Sequence, residues 1–312
     1  MADISVGDAV GAGFALIRRR PVSVLIWGAV LVGLQVVGFA LFAPFYAAFY
    51  AAIMQGVASG GGGPAPAAAM LQSPQMQAMQ GLTQLFNLVQ LLVTAVIYCA
   101  VFRAVLHPDR PSFAYLRVGA PELFLVLLIF GGVIALFIGL LIVILPVSII
   151  IGIVIGLTHG SGAAAALLIP IVLLAVMVAL LIIALRFAFV GPMMVEDGKF
   201  HLLESWRLTR GRTVSLFLIG LSLVGIFILV DLVILAIVIG VGAAAVQSFG
   251  GLDQIVAQWR ASPAAVAGKL APLLAVYALV QIPLAGCLMA IGAAPWAKAY
   301  RDLLPEAAQV FA

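Results

Sequence analysis

Six runs of apolar residues, at about 21–43, 82–105, 121–157, 163–190, 213–246 and 270–294, alternate along the chain with short stretches where polar and basic residues collect. Each run is at least as long as the ~20 residues a helix needs to cross a bilayer core. The pattern predicts an all-α fold: a polytopic transmembrane helical bundle of six spans, forming one transmembrane domain over residues 1–312. The third run is ambiguous, because its roughly 37 residues include Pro146. Length alone fits either one bent helix or two short spans.

Charge separates the two. With six spans and an inner N-terminus, the inner segments 1–20, 103–120, 186–212 and 295–312 hold 13 of the 15 Lys and Arg residues. They include the triplet Arg18, Arg19, Arg20, the pair Arg103 and Arg117, and the group Arg207, Arg210, Arg212; only Arg260 and Lys269 fall outside. Splitting the third run would move five or more of these to the wrong side, against the positive-inside rule. The expectation is six spans with both termini in the cytoplasm. The first run follows an arginine triplet, is too long for a signal-peptide core and has no convincing cleavage site, so it reads as an uncleaved span.

An internal repeat shows at the inner face. Phe14-Ala15-Leu16-Ile17-Arg18 resembles Phe113-Ala114-Tyr115-Leu116-Arg117, and Ser205-Trp206-Arg207-Leu208-Thr209 fits the same register. The implied unit is an elbow helix lying at the membrane surface followed by a two-span hairpin. Three parallel copies are expected, at about 4–105, 112–190 and 199–294, a parallel-repeat plan that some transporters use. In the first elbow Val6, Val10, Phe14 and Ile17 share one helical face.

The outer connection 46–81 carries no charged residue, and its part at 55–80, with the run Gly60–Ala69, is expected to be a flexible loop. Phe45, Tyr46, Phe49 and Tyr50 precede it at helical spacing, suited to the headgroup level. In the last outer loop Leu252, Ile255, Val256 and Trp259 form one apolar face, which predicts a short helix on the membrane surface.

Composition agrees. Of 312 residues 65% are hydrophobic and 8% charged, against about 45–50% and about 25% in soluble domains. The net charge of +4 flanks the spans and is not interleaved with stacking aromatics, so no nucleic-acid partner is expected. Cys99 and Cys287 lie inside apolar runs and make neither a disulfide framework nor a metal-type spacing.

Polar groups inside apolar runs are the candidate functional residues, since each needs a partner or a wet cavity there. Gln35, Gln90, Asp231 and Gln281 fall near mid-span in four of the six runs. Thr83, Asn87, Gln90, Thr94 and Tyr98 step by three or four residues and share one stripe. Gln35, Asn87, Gln90, Thr94, Asp231 and Gln281 therefore form a candidate polar seam, which either glues helices together or lines a cavity for substrate or water. Asp231 is expected to hydrogen-bond Gln281, Gln90 or Gln35. Small residues four apart, Gly131, Ala135 and Gly139 and again Ala236, Gly240 and Ala244, are expected to mark close helix contacts, within the monomer before a dimer.

No Ser, His or Cys arrangement for nucleophilic catalysis is present, and no enzyme activity, cofactor or metal is expected. One cluster, Glu196, Asp197, His201 and Glu204, has spacing for a metal ligand set. The simpler reading makes Asp197-Gly198 a turn and the following segment an amphipathic elbow carrying Phe200, Leu203 and Trp206. Arg18, Arg19, Arg20, Arg207, Arg210 and Arg212 are the candidate lipid-phosphate contacts.

Val195-Glu196-Asp197-Gly198, the stretch from Glu204 to Arg212 and the N-terminal elbow from Gly11 to Pro21 resemble a group of bacterial six-span membrane proteins. That group is named for likeness to the membrane domain of glycerophosphoryl diester phosphodiesterases. The resemblance implies an inner-membrane location and no chemistry of the membrane part. In the fused enzymes hydrolysis belongs to a separate soluble barrel, for which this chain has no counterpart. The expectation is a non-enzymatic protein that binds a lipid or amphiphile at the midplane polar seam, in transport or membrane homeostasis. The alternative is a structural or regulatory subunit, with a second copy or another membrane protein as partner.

Overall fold

A computed structural model of the chain describes residues 4–58, 74–109, 113–157 and 162–311. They form ten α-helices and one short 3-10 turn, with no strand among the described residues. In chain order these are α1 (Val6–Arg19), α2 (Pro21–Ala58), α3 (Pro74–Leu106), α4 (Ala120–Leu157), α5 (Gly162–Arg186), α6 (Val190–Asp197), α7 (Leu202–Leu208), α8 (Thr213–Ser248), α9 (Leu252–Ala261) and α10 (Pro263–Phe311). Six of them, α2, α3, α4, α5, α8 and α10, contain stretches long and apolar enough to cross a membrane. The chain is thus an all-α, multi-pass membrane protein. Pro146 lies inside α4, which stays one helix of 38 residues. α10 is an unbroken helix of 49 residues.

Local chemistry sets the helix ends. Ser5 caps α1 by accepting the Asp8 N–H at 3.4 Å, and Arg18 and Arg19 complement the negative C-terminal end of the helix dipole. Proline opens α2, α3 and α10, where its missing N–H has no intrahelical acceptor to lose. Gly198 ends α6 at φ 73°, a left-handed conformation open to glycine. The turn expected at Asp197-Gly198 is present, and the Lys199 N–H closes it on Asp197 Oδ1 at 3.0 Å.

The buried core gathers at one end of the bundle, the end that carries the basic residues. There α10 packs against α1, α2 and α3. Trp27, Ile97, Ala100, Val101 and Ala294 are among its buried members. A second group, including Phe189, Met193, Leu216, Ile219 and Leu303, continues it across α5, α6, α8 and α10. Two glycines let α2 and α10 touch backbone to backbone. A Cβ on Gly28 would lie 1.8 Å from the Ile282 carbonyl oxygen, and one on Gly286 would lie 2.0 Å from that of Val24. Gly13 plays the same part between α1 and α10, with a Cβ there 2.7 Å from Ile291 Cα.

Several expectations are corrected. The outer connection is shorter than 55–80, because α2 continues to Ala58 and α3 begins at Pro74; an uncharged, Ala- and Met-rich stretch has nothing to stop a helix until the glycines, and 59–73 lie outside the described residues. Close helix contacts do not fall on the expected small-residue rows: a Cβ on Gly131, Gly139 or Gly240 would meet nothing within 4 Å, and Ala135, Ala236 and Ala244 are exposed. The first elbow turns Ala9, Gly13 and Leu16 inward, while Phe14 stays half exposed, because tight packing on α10 selects small side chains.

The three inner connections related by sequence take different forms. The first is the 14-residue α1, the second a three-residue 3-10 turn at Phe113–Tyr115, and the third the seven-residue α7. A helix does form at Leu252–Ala261 in the last outer loop. Phe45, Tyr46, Phe49 and Tyr50 lie within α2, and the side chains of the last three lie outside the described residues.

Candidate functional site

The mid-span polar residues do not converge. Gln35, Asn87 and Asp231 are exposed on their helices, and Gln90, Thr94 and Gln281 are half-buried. None of these six side chains hydrogen-bonds another among the described residues, so the bonds expected of Asp231 to Gln281, Gln90 or Gln35 are not made. α8, which carries Asp231, packs on α1, α5 and α10, away from the stripe on α3.

Polar contacts concentrate at the basic end. Between α3 and α4 the sequence gives the chain a basic residue in the last turn of one span, Arg103, and an acidic one in the first turn of the next, Glu122. Their side chains form an ion pair in which Glu122 is fully buried and Arg103 is 15% exposed. Arg103 also donates to the Tyr115 carbonyl at 3.4 Å. Ala114 and Tyr115 are held at φ 49° and 59°, a conformation costly for residues with a Cβ. What holds them is a set of bonds: Trp27 Nε1–H donates to the Ala114 carbonyl at 2.9 Å, and the Tyr115 hydroxyl donates to the Pro108 carbonyl at 3.1 Å. The sequence reading missed this pair. Its available signal was two opposite charges at the two ends of one inner connection, hence at one membrane depth.

Beside this knot lies a cleft of about 800 Å³ bounded by α1, the end of α3 and α10. Gly7, Gly11, Ala15 and Arg19 step by four along one stripe of α1 and form one wall. Side chains of one carbon or none leave that wall hollow, and a Cβ on Gly7 or Gly11 would meet nothing within 4 Å. Ala104, Val105 and Pro108 close the opposite side. Four cations line the space, Arg19, Arg20, Lys298 and Arg301, with Asp8 as the acidic member. Two are steered by backbone carbonyls: Arg20 donates to Pro108 O at 3.2 Å and Arg301 to Val105 O at 3.0 Å. Arg20 also lies over the Tyr115 ring, 6.0 Å from its centroid. Lys298 is bound by Asp302, with Nζ 2.5 Å from each carboxylate oxygen.

Of the expected phosphate contacts, Arg19 and Arg20 line this cleft, and Arg18 is exposed nearby on α1. Arg207 and Arg210 are exposed on the third connection, and Arg212 donates to Leu208 O at 3.0 Å. Lys298 and Arg301 were not singled out from the sequence, since about 280 residues of chain separate them from α1 and only the fold joins the two.

In the third connection His201 Nε2 lies 2.5 Å from Asp197 Oδ2, and Nδ1 lies 3.6 Å from Glu204 Oε1. Glu196 instead faces His107 at 3.5 Å. Among the described residues no group of three His, Cys, Asp or Glu is placed to hold a metal ion. Phe200, Leu203 and Trp206 are exposed around α7, as an elbow lying against lipid would have them.

No family model, no curated protein and no solved structure matches the chain.

Proposed function

We propose that the chain is a non-enzymatic integral membrane protein that holds a lipid or similar amphiphile at the basic end of its bundle, in the service of transport or membrane homeostasis. The observation that carries this reading is the cleft of about 800 Å³ between α1, α3 and α10, within the roughly 300–1,000 Å³ of small-ligand sites. It has a hollow apolar wall and a row of cations, the two halves an amphiphile needs. It also lies where spans begin and end, at Pro21 and Leu106, the level of lipid headgroups. The cleft is preferred to the mid-span polar row because its groups face one space. In this reading the basic end faces the cytoplasm of a bacterial inner membrane, by the positive-inside rule.

The test is to fill the cleft without disturbing the fold. Gly11→Leu puts a side chain into open space, and replacing a helical glycine favours α1 by up to about 1 kcal/mol. Native mass spectrometry from mild detergent is expected to find lipid on the parent protein and none on Gly11→Leu, with the melting temperature kept or raised. Unchanged lipid occupancy in the variant overturns the reading.

A second reading, a structural or regulatory subunit, is favoured by one observation: in the rows Gly131, Ala135, Gly139 and Ala236, Gly240, Ala244 every residue is exposed except Gly139, which is half-buried. A helix of a second copy or of another membrane protein could approach closely there. A stoichiometric protein partner in the same spectra supports that reading.

A further inference from the structure

We infer that the occupant of the cleft is an acidic phospholipid whose head carries close to two negative charges, that is, a phosphate monoester; this rests on the amphiphile reading above. The charges that line the cleft point to this class. Four cations line the space, and Asp302, which binds Lys298 through both oxygens, neutralises one of them. Asp8 offsets a second, so Arg19, Arg20 and Arg301 leave a net charge of about +2 facing one volume. All three are exposed at the rim of the cleft, and like charges gathered around one volume repel until a counter-ion sits among them. A phosphate monoester carries about −1.5 to −2 at neutral pH and offers three acceptor oxygens.

Geometry fits the same chemistry. Arg20 and Arg301 each spend one N–H on a carbonyl, of Pro108 and of Val105, which tethers each guanidinium beside the cleft and leaves further donors for an anion. Arginine forks held in this way match phosphate oxygens in pairs. Arg19 makes no polar contact with any described residue, although it lines the same space. The wall of Ala15, Leu16 and Val105 beside them is apolar, which suits the glycerol and upper acyl region of a lipid better than a free anion.

The experiment reconstitutes the full chain in nanodiscs of phosphatidylcholine alone, with phosphatidylglycerol added, or with phosphatidic acid added, and counts retained lipids by native mass spectrometry. Phosphatidic acid is expected to be retained about tenfold or more over phosphatidylglycerol, from charge-assisted hydrogen bonds to the extra charge. Inorganic phosphate, added as competitor, is expected not to displace it. Arg301→Gln should erase the preference while an uncharged lipid is still carried, and Arg19→Gln, whose side chain holds nothing in the fold, should weaken it without altering the melting temperature. Arg210→Gln, outside the cleft, should leave it intact. Equal retention of all three lipids overturns the charge class while the amphiphile reading stands. Displacement by inorganic phosphate overturns the lipid source, and no retained lipid in any disc overturns both readings.

Discussion

Two regions of the same bundle are built on different terms. At the basic end Trp27 is fully buried, Gly28 and Gly286 bring two helix backbones into contact, and a buried carboxylate is paired with a guanidinium. Further along the same helices, the most apolar stretches of α4 and α8 bury no residue within the chain. The contrast follows from the solvent. Lipid tails are as apolar as Leu or Ile, so apolar helix faces gain little by leaving them. What fixes the arrangement is close backbone packing and paired polar groups, and both are concentrated at one end. That end also carries the cleft, so the proposed ligand site lies in the most tightly packed part of the molecule.

The sharpest way to break the contrast is to make one substitution in both regions. Gly28→Leu drives a side chain into the Ile282 carbonyl and is expected to cost at least about 3 kcal/mol, seen as aggregation or a lost melting transition in detergent. Gly131→Leu, on the open face of α4, is expected to leave both unchanged. Next in size is Glu122→Leu, which strands Arg103 without its partner and should cost about 3–5 kcal/mol; the double variant with Arg103→Leu should recover most of this in thermal unfolding. Trp27→Phe removes the donor to the Ala114 carbonyl and should cost about 1–1.5 kcal/mol, with the two left-handed residues loosening first in hydrogen exchange. The smallest effect belongs to the open region: Asp231→Asn, exposed and without a hydrogen bond, should shift stability by less than about 0.5 kcal/mol.

The same division decides what was legible in the sequence. The six spans were readable because span length and the sidedness of Lys and Arg are local properties; the charge count even kept α4 in one piece across Pro146. The helix at Leu252 and the Asp197-Gly198 turn were readable from spacing. The close contacts were not. Gly131 and Gly139 have the small-residue spacing and touch nothing, whereas Gly28 and Gly286 belong to different helices, and no spacing within either segment announces their meeting. The cleft was half readable. Arg19 and Arg20 stood out as a cluster, but Lys298 and Arg301 join them only through the packing of α10 on α1. The hollow stripe of Gly7, Gly11 and Ala15 was not legible, because residues with one side-chain carbon or none leave no mark in a hydrophobic pattern, and here the missing side chains matter more.

The length of α10 has a mechanical consequence. Forty-nine residues at about 1.5 Å each make a rod of roughly 70 Å, against about 40–45 Å for a whole bilayer with its headgroups. Even steeply inclined, such a rod outruns the membrane, so part of it must stand in water as a post. Lys298 and Arg301, at the wall of the cleft, belong to the same helix as that post.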